Sequence, residues 1–298
     1  GGIGSALPKD EVAQSFDKRL YLYNPSTKVA TALLKDFAPS VGEYEWNAGD
    51  DKIYMRCTDG YDETLWRLDP RTGKRFRFEL PTTVVQRFTL SEGRVPRVVF
   101  FGQTGTTSRN AYVADLTSSR PKCNPFGEVS FAKALGDVQV ASCMPWSYRR
   151  SDRDTVPGFY FLPADFDATK KYPVVMYQYS GPGSQEVKDA WSTGFYSGGQ
   201  WESVLAEEGF ISVIVDGRGT GARGAQFEKC TYLRLGDLES QDQVAAAQYL
   251  ATLPFVDAQR IALWGWSFGG FNTLMAMTDG RPVFRCGVAV AAPSNWKY

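Results

Sequence analysis

The run from Arg260 to Leu274 narrows the possible architectures more than any other part of the chain. Ile261 to Trp264 is apolar without alternation, Gly265-Trp266-Ser267-Phe268-Gly269-Gly270 is a glycine-bracketed turn, and Phe271 to Leu274 continues as a largely apolar helical stretch. An apolar run lacking period-two alternation marks a strand covered on both faces, and such strands belong to parallel sheets whose crossovers are helices. The same pattern recurs nearby. Val174 to Tyr179, Ile211 to Val215 and Cys286 to Ala291 read as further strands, and Leu238 to Leu253 as an amphipathic helix. This half is therefore an α/β parallel sheet. Val138 to Tyr148 and Val156 to Leu162 resemble a hairpin leading into it.

The first part of the chain has another rhythm. Leu20-Tyr21-Leu22-Tyr23-Asn24-Pro25-Ser26-Thr27 is echoed by Leu65-Trp66-Arg67-Leu68-Asp69-Pro70-Arg71-Thr72-Gly73, and more weakly by Ala111-Tyr112-Val113-Ala114-Asp115-Leu116-Thr117. Asn24, Asp69 and Asp115 lie 45 and 46 residues apart. Each copy is an alternating strand that ends in a turn opened by Asn or Asp, and the first two are followed by a second β-rich stretch. A period of this length fits propeller blades of four strands, whereas the pattern stops after about two and a half units. An all-β meander with similar turns is the other reading.

The turn at Ser267 has the Gly-x-Ser-x-Gly form of a nucleophile elbow, in which a serine sits on a strained strand-to-helix bend and glycines keep neighbouring side chains from colliding. Together with Asp216-Gly217-Arg218-Gly219-Thr220-Gly221 and Tyr179-Ser180-Gly181-Pro182, it resembles the prolyl oligopeptidase superfamily of serine peptidases. Trp266 before the serine resembles the dipeptidyl peptidase IV branch. The likeness runs from Lys170 to Tyr298 and includes Arg234-Leu235-Gly236, Phe255-Val256-Asp257 and Ala292-Pro293-Ser294-Asn295-Trp296. It implies an N-terminal β-propeller followed by an α/β hydrolase. Residues 1–125 are then a partial propeller, and residues 126–298 the first part of the hydrolase domain through the elbow, both incomplete.

By the same resemblance Ser267 is the acyl-forming nucleophile, and the backbone N–H of Phe268 and the phenol of Tyr179 make the oxyanion hole. Trp296, Phe268 and Trp266 line the substrate pocket, with Phe268 standing where family members commonly have Tyr. Tyr179, Phe268 and Trp296 also read as ordinary packed aromatics. The implied activity is release of short N-terminal peptides after proline or alanine. Peptide substrates are expected and no cofactor; a homodimer is left open.

The sequence of 298 residues contains no histidine. That excludes His-ligated metals and any Ser-His pair made within it. In α/β-hydrolases the acid and the histidine follow the serine, and 31 residues follow Ser267. The expectation is an internal piece of a longer peptidase, inert by itself. Glu43 and Glu45 imitate only superficially the acidic pair with which the family captures an amino terminus.

Charge is balanced at 33 basic and 33 acidic residues, which argues against a dedicated nucleic-acid binder. Arg149, Arg150 and Arg153, interrupted by Asp152 and Asp154, read as a solvated hairpin. Five scattered cysteines give no disulfide framework or zinc motif. No apolar run reaches the roughly 18 residues of a membrane span. The lack of an Asn-x-Ser/Thr sequon points away from a glycosylated ectodomain and toward a bacterial periplasmic or extracellular enzyme.

Two readings compete with the peptidase. Gly219-x-Gly221-x-x-Gly224 after a strand, with Asp237 and Glu239 downstream, imitates a dinucleotide fingerprint, but Ala225 to Leu235 lacks the apolar helix pattern it requires. A catalytically inactive propeller-hydrolase scaffold is the other. Keeping Ser267 and its glycines weighs against it, because a scaffold needs no strained turn.

Overall fold

A computed structural model describes residues 2–4, 18–34, 36–127, 141–150, 154–191 and 200–297. Val138, Asp152 and Arg153 fall outside the described residues. The chain divides into two compact units. The first is Gly1–Gly136 with Lys188–Trp191 and Ala222–Ala225, and the second is Asp137–Val187, Ser192–Gly221 and Gln226–Tyr298.

The first unit is built from antiparallel strands. β1 (Gly2–Gly4), β2 (Arg19–Asn24) and β3 (Val29–Ala32) form one sheet. β4 (Ser40–Asn47), β5 (Lys52–Asp59), β6 (Asp62–Leu68) and β7 (Arg75–Arg77) form a meander, and so do β8 (Val84–Leu90), β9 (Arg97–Gln103), β10 (Asn110–Asp115) and β11 (Asn124–Pro125). Between these two foursomes the one ladder pair is Glu63 with Val84. Each meander is thus a propeller blade.

The packing shows why the blades stack. Alternation along β5 sends Ile53, Met55 and Cys57 into one core, with Leu20 of the three-stranded sheet and Leu34 just after it. Tyr54 points the other way, into a core with Val85, Phe88, Val98 and Phe100 of the next blade. A strand buried on both faces by neighbouring sheets is the packing of a propeller rather than of a flat meander. Burial pushes the Cys57 thiol up to about 12, which leaves it an inert core residue.

The recurring turn is real, and it is more frequent than the sequence period indicated. Asn24 Oδ1 accepts the Ser26 and Thr27 amides at 2.9 and 3.2 Å, and Asp69 Oδ1 accepts those of Arg71 and Thr72 at 2.9 and 3.3 Å. Asn47 repeats the device at 2.7 Å to the Gly49 amide. Four residues after each, the backbone is left-handed: Lys28 at φ 56°, Asp51 at 55° and Gly73 at 71°. Asp115 does end the third strand of its meander, β10, and Asp69 directly follows the third strand of the other, β6, while Asn24 ends β2. The Asp115 carboxylate, however, binds the Arg97 guanidinium at 2.7 and 3.2 Å, so the third copy of the motif has the position without the turn.

Within this unit, Lys188–Trp191 is tied down by four bonds. The Asp189 amide donates to Tyr61 O (2.9 Å), Thr83 Oγ1 to Asp189 O (2.5 Å), the Gly105 amide to Asp189 Oδ1 (3.0 Å) and Lys188 Nζ to Glu63 Oε1 (2.8 Å).

The second unit holds one six-stranded sheet, ordered β12 (Ser142–Arg149), β13 (Thr155–Leu162), β15 (Ile211–Val215), β14 (Tyr172–Gln178), β16 (Val256–Trp266) and β17 (Cys286–Val290). Strands β14 to β17 are parallel to one another, while β12 and β13 run antiparallel. The hairpin is therefore part of the sheet, and the sheet is mixed rather than parallel throughout. Every residue of β15 is buried, as its unbroken apolar run requires. β17, the last of the described strands, is exposed to half-buried.

The described helices are α1 (Gln200–Glu207), α2 (Ala225–Lys229), α3 (Asp237–Leu250) and α4 (Phe268–Met277). No helix among the described residues is long and apolar enough to cross a membrane. Helix α3 departs from the amphipathic reading, since Glu239, Ser240, Asp242 and Gln243 are all buried on it. Nor is Arg150 solvated, for it bonds Asp242 Oδ2 at 3.2 Å with only a tenth of its side chain exposed.

Asn47 tests the turn. It is 5% exposed and also donates to Ser91 O at 3.4 Å, so Asn47→Ala removes two bonds from a buried site. Urea unfolding is expected to register a loss of about 1–2 kcal/mol. Asp115→Ala, which breaks only an exposed ion pair, is expected to leave the midpoint nearly unchanged.

Candidate active site

Strand β16 delivers Ser267 to the start of α4 with φ 54° and ψ −116°, a region a non-glycine residue rarely enters and holds only when its surroundings enforce it. Two backbone bonds do so. The Ser267 amide donates to Val290 O of β17 at 2.8 Å, and Ser267 O accepts the Phe271 amide at 3.0 Å.

The flanking glycines are needed for space. A Cβ on Gly265 would lie 2.4 Å from the Gly269 carbonyl carbon, and one on Gly269 would lie 2.2 Å from Gln178 O and 3.0 Å from the Tyr179 Cα. Three backbones, those of β16, α4 and the end of β14, thus meet without intervening side chains. That contact is what sets Tyr179 beside the serine turn.

Aromatic rings continue the site from there. Tyr179 and Phe268 have ring centroids 6.2 Å apart, Phe268 and Trp296 5.6 Å, and Phe271 and Trp296 5.3 Å at an interplanar angle of 85°. Phe268 bridges Tyr179 to Trp296, so these three predicted residues form one cluster with Phe271, which the sequence reading did not single out. Trp296 is 52% exposed, giving the cluster an open face. Trp266 ends β16 exposed, on the other side of Ser267 in the chain. The Phe268 amide lies in the first turn of α4, where a helix leaves its N–H groups without internal acceptors and carries positive potential. Among the described residues, no side chain is hydrogen-bonded to Ser267 Oγ.

The loop after β15 serves this end of the sheet. Asp216 Oδ2 accepts the Glu186 and Val187 amides at 2.9 and 2.8 Å. Arg218 grips Asp242 of α3 through Nε at 3.1 and 3.0 Å and Nη2 at 2.8 Å, while the Arg218 amide donates to Asp242 Oδ2 at 2.7 Å. Its glycines face protein: a Cβ on Gly219 would strike Thr231 at 2.8 Å and one on Gly221 would strike Gly183 O at 2.8 Å. They are not a dinucleotide cradle. Glu239, which that reading would set at a strand end, instead accepts the Gly236 amide at 3.0 Å inside the α3 cap. Glu43 and Glu45 are likewise committed within the first unit, to Arg56 at 3.5 Å and to the Leu90 amide at 3.1 Å.

Sequence reasoning missed the polar side chains beneath the site, namely Gln178, Ser180, Gln243, Asn272 and Thr273, none more than 1% exposed. The available signal was five consecutive polar residues, Glu239 to Gln243, inside a helix otherwise read as amphipathic.

A mixed sheet feeding a glycine-bracketed serine turn defines an α/β hydrolase, here in a chain that also carries propeller blades. Residues 198–298 match the family described as the prolyl oligopeptidase family. Over 137 residues the chain is 47% identical to a probable dipeptidyl-aminopeptidase B of Grosmannia clavigera, covering 46% of this chain and 14% of that one. Over 186 residues it is 36% identical to a probable dipeptidyl peptidase 4 of Aspergillus clavatus, covering 61% and 24%. Among solved structures, Porphyromonas gingivalis dipeptidyl peptidase 4 aligns with a TM-score of 0.81 at 29% identity, over 94% of this chain and 39% of that one. The likeness to the prolyl oligopeptidase family and its dipeptidyl peptidase IV branch is borne out. The chain spans less than half the length of each of these relatives.

Two outcomes follow from the geometry. Gly269→Ala forces a methyl group against a backbone carbonyl that cannot retreat, and is expected to cost about 2 kcal/mol or more in urea unfolding. Glu239 behaves differently. Burial, with Asp237 and Asp242 adding like charge, raises its carboxyl from 4.5 to about 7, so the folded chain keeps a proton that the unfolded chain has lost. Stability should therefore fall as pH rises from 4.5 to 7 and level off above. Glu239→Gln removes that slope, and unfolding midpoints measured at pH 4.5 and 8 should differ less in the variant than in the wild type.

Proposed function

We propose that this chain is the serine-bearing part of a longer dipeptidyl peptidase IV-type serine exopeptidase, which releases short peptides from N-termini after proline or alanine. In this reading residues 1–125 supply propeller blades and residues 126–298 the hydrolase up to and beyond the elbow. The observation that carries it is Ser267 held at positive φ on the elbow, with Tyr179 and Phe268 immediately beside it.

The chemistry follows from that placement. Ser267 Oγ attacks the carbonyl of the scissile bond, and the developing oxyanion is met by the Phe268 N–H at the positive end of α4 and by the Tyr179 hydroxyl. Collapse of the tetrahedral species expels the amine of the departing chain and leaves the acyl group on Ser267, which water then releases. A base must take the serine proton at the first step. With no histidine in these 298 residues, that base and its orienting acid belong to the rest of the longer protein. Phe268, Trp296 and Trp266 offer aromatic surface to a flat pyrrolidine ring. The peptidase relatives and the retained strained serine weigh against the inactive-scaffold reading.

The test uses a fluorophosphonate probe and Gly-Pro-anilide. The isolated chain is expected to show no turnover above its Ser267→Ala control. In the full-length protein Ser267→Ala should abolish labelling. Tyr179→Phe should lower kcat on the order of 10² to 10³ with KM nearly unchanged. Labelling that persists without Ser267 defeats the proposal.

A further inference from the structure

The Tyr179 ring lies back over the residues that follow it, since a Cβ on Gly181 would be 2.6 Å from Tyr179 Cε1. This orientation depends on Ser180, whose φ of 59° is left-handed. An L-residue there costs roughly 1–2 kcal/mol, so the turn persists only where the surroundings hold it.

They hold it through a single file of buried donors. Gln243 Nε2 on α3 donates to Val215 O of β15 at 3.0 Å and to Ser180 Oγ at 3.3 Å. Ser180 Oγ donates to Gln178 Oε1 at 3.2 Å, and Gln178 Nε2 to Thr273 Oγ1 at 3.4 Å. Thr273 Oγ1 in turn donates to Gly269 O at 2.8 Å, in the turn that carries Ser267. Separately, Asn272 Nδ2 donates to Tyr179 O at 3.3 Å. The file thus ties strand β15, helix α3, the end of β14 and the start of α4 together at the one place where Tyr179 and Ser267 must keep register.

We infer that Gln243 and Ser180 are positioning residues for the oxyanion hole, aiming the Tyr179 hydroxyl by fixing the left-handed turn after it. The inference rests on the proposed role of Tyr179. Neither residue touches substrate. Losing either one lets the turn relax and the phenol swing, which weakens transition-state contact and leaves ground-state binding alone. Displacements of this kind are costly because the hydroxyl must meet a charge that exists only in the transition state.

The experiment is a double-mutant cycle on the full-length protein with Gly-Pro-anilide, each variant first checked for wild-type cooperativity in urea. Ser180→Ala keeps the Cβ and removes only the hydroxyl, so it is expected to fold. Gln243→Met preserves volume and serves as the second probe, with Ser180→Ala carrying the test if Gln243→Met does not fold. Each should lower kcat about tenfold or more with KM unchanged. In a Tyr179→Phe background the same changes should lower kcat less than about twofold, because there is no hydroxyl left to aim. Equal losses in both backgrounds, a rise in KM at constant kcat, or wild-type kcat in Ser180→Ala would overturn the inference while leaving the role of Tyr179 intact. Wild-type kcat in Tyr179→Phe alone would instead defeat the oxyanion role itself, and the inference with it.

Discussion

The second unit depends on a place where main chains touch with nothing between them. Gly269 lies so close to Gln178 O that a methyl group has no room, and Gly265 packs on Gly269 in the same way. Strand β14 is central in the sheet, between β15 and β16, and Gln178 at its end is still laddered to Gly265 of β16, which fixes its backbone. The serine turn is pressed against that fixed point from one side and hung from Val290 O of β17 on the other. A residue in an unfavourable backbone region needs such over-determination. The strain at Ser267 is thus balanced by sheet geometry rather than by any single strong bond.

Most polar atoms under the site are paired, as buried donors and acceptors generally are, although Gln243 Oε1 and Asn272 Oδ1 have no hydrogen-bond partner among the described residues. Asp242 receives two arginines and a backbone amide, which keeps a nearly inaccessible carboxylate compensated. One residue on, Gln243 faces the Ser180 turn. Adjacent positions on one helix therefore handle two different tasks, anchoring the Arg218 loop and bracing the turn after Tyr179.

Much of this was legible in the sequence, and the misses have physical causes. Ile211 to Val215 was identifiable as a fully buried strand because nothing polar but Ser212 interrupts it, and the elbow because its glycines have few other uses in that setting. Cys286 to Val290 has the same apolar texture yet is exposed to half-buried among the described residues, so an apolar run alone does not report burial. The polar stretch of α3 was hidden for the opposite reason: helical periodicity assigns polar residues to solvent, and only tertiary partners such as Arg150 and Arg218 reverse that assignment. In the propeller half the period was found from Asn24, Asp69 and Asp115, whereas the shared turn actually belongs to Asn24, Asn47 and Asp69. Backbone handedness four residues later marks that turn, and Lys28, Asp51 and Gly73 have no common side chain for a sequence comparison to detect.

The file from Gln243 to Gly269 O also has a polarity. A hydroxyl has one proton to give, so once Ser180 donates toward Gln178, Thr273 must donate toward Gly269, and no member can turn round alone. The sense of the whole file is set at both ends, where Gln243 Nε2 donates to Val215 O and Thr273 Oγ1 to Gly269 O, because a main-chain carbonyl can only accept. Main-chain carbonyls in β15 and in the serine turn thereby dictate which way protons point between them. The orientation of the site's supporting dipoles is written into the sheet before any substrate arrives.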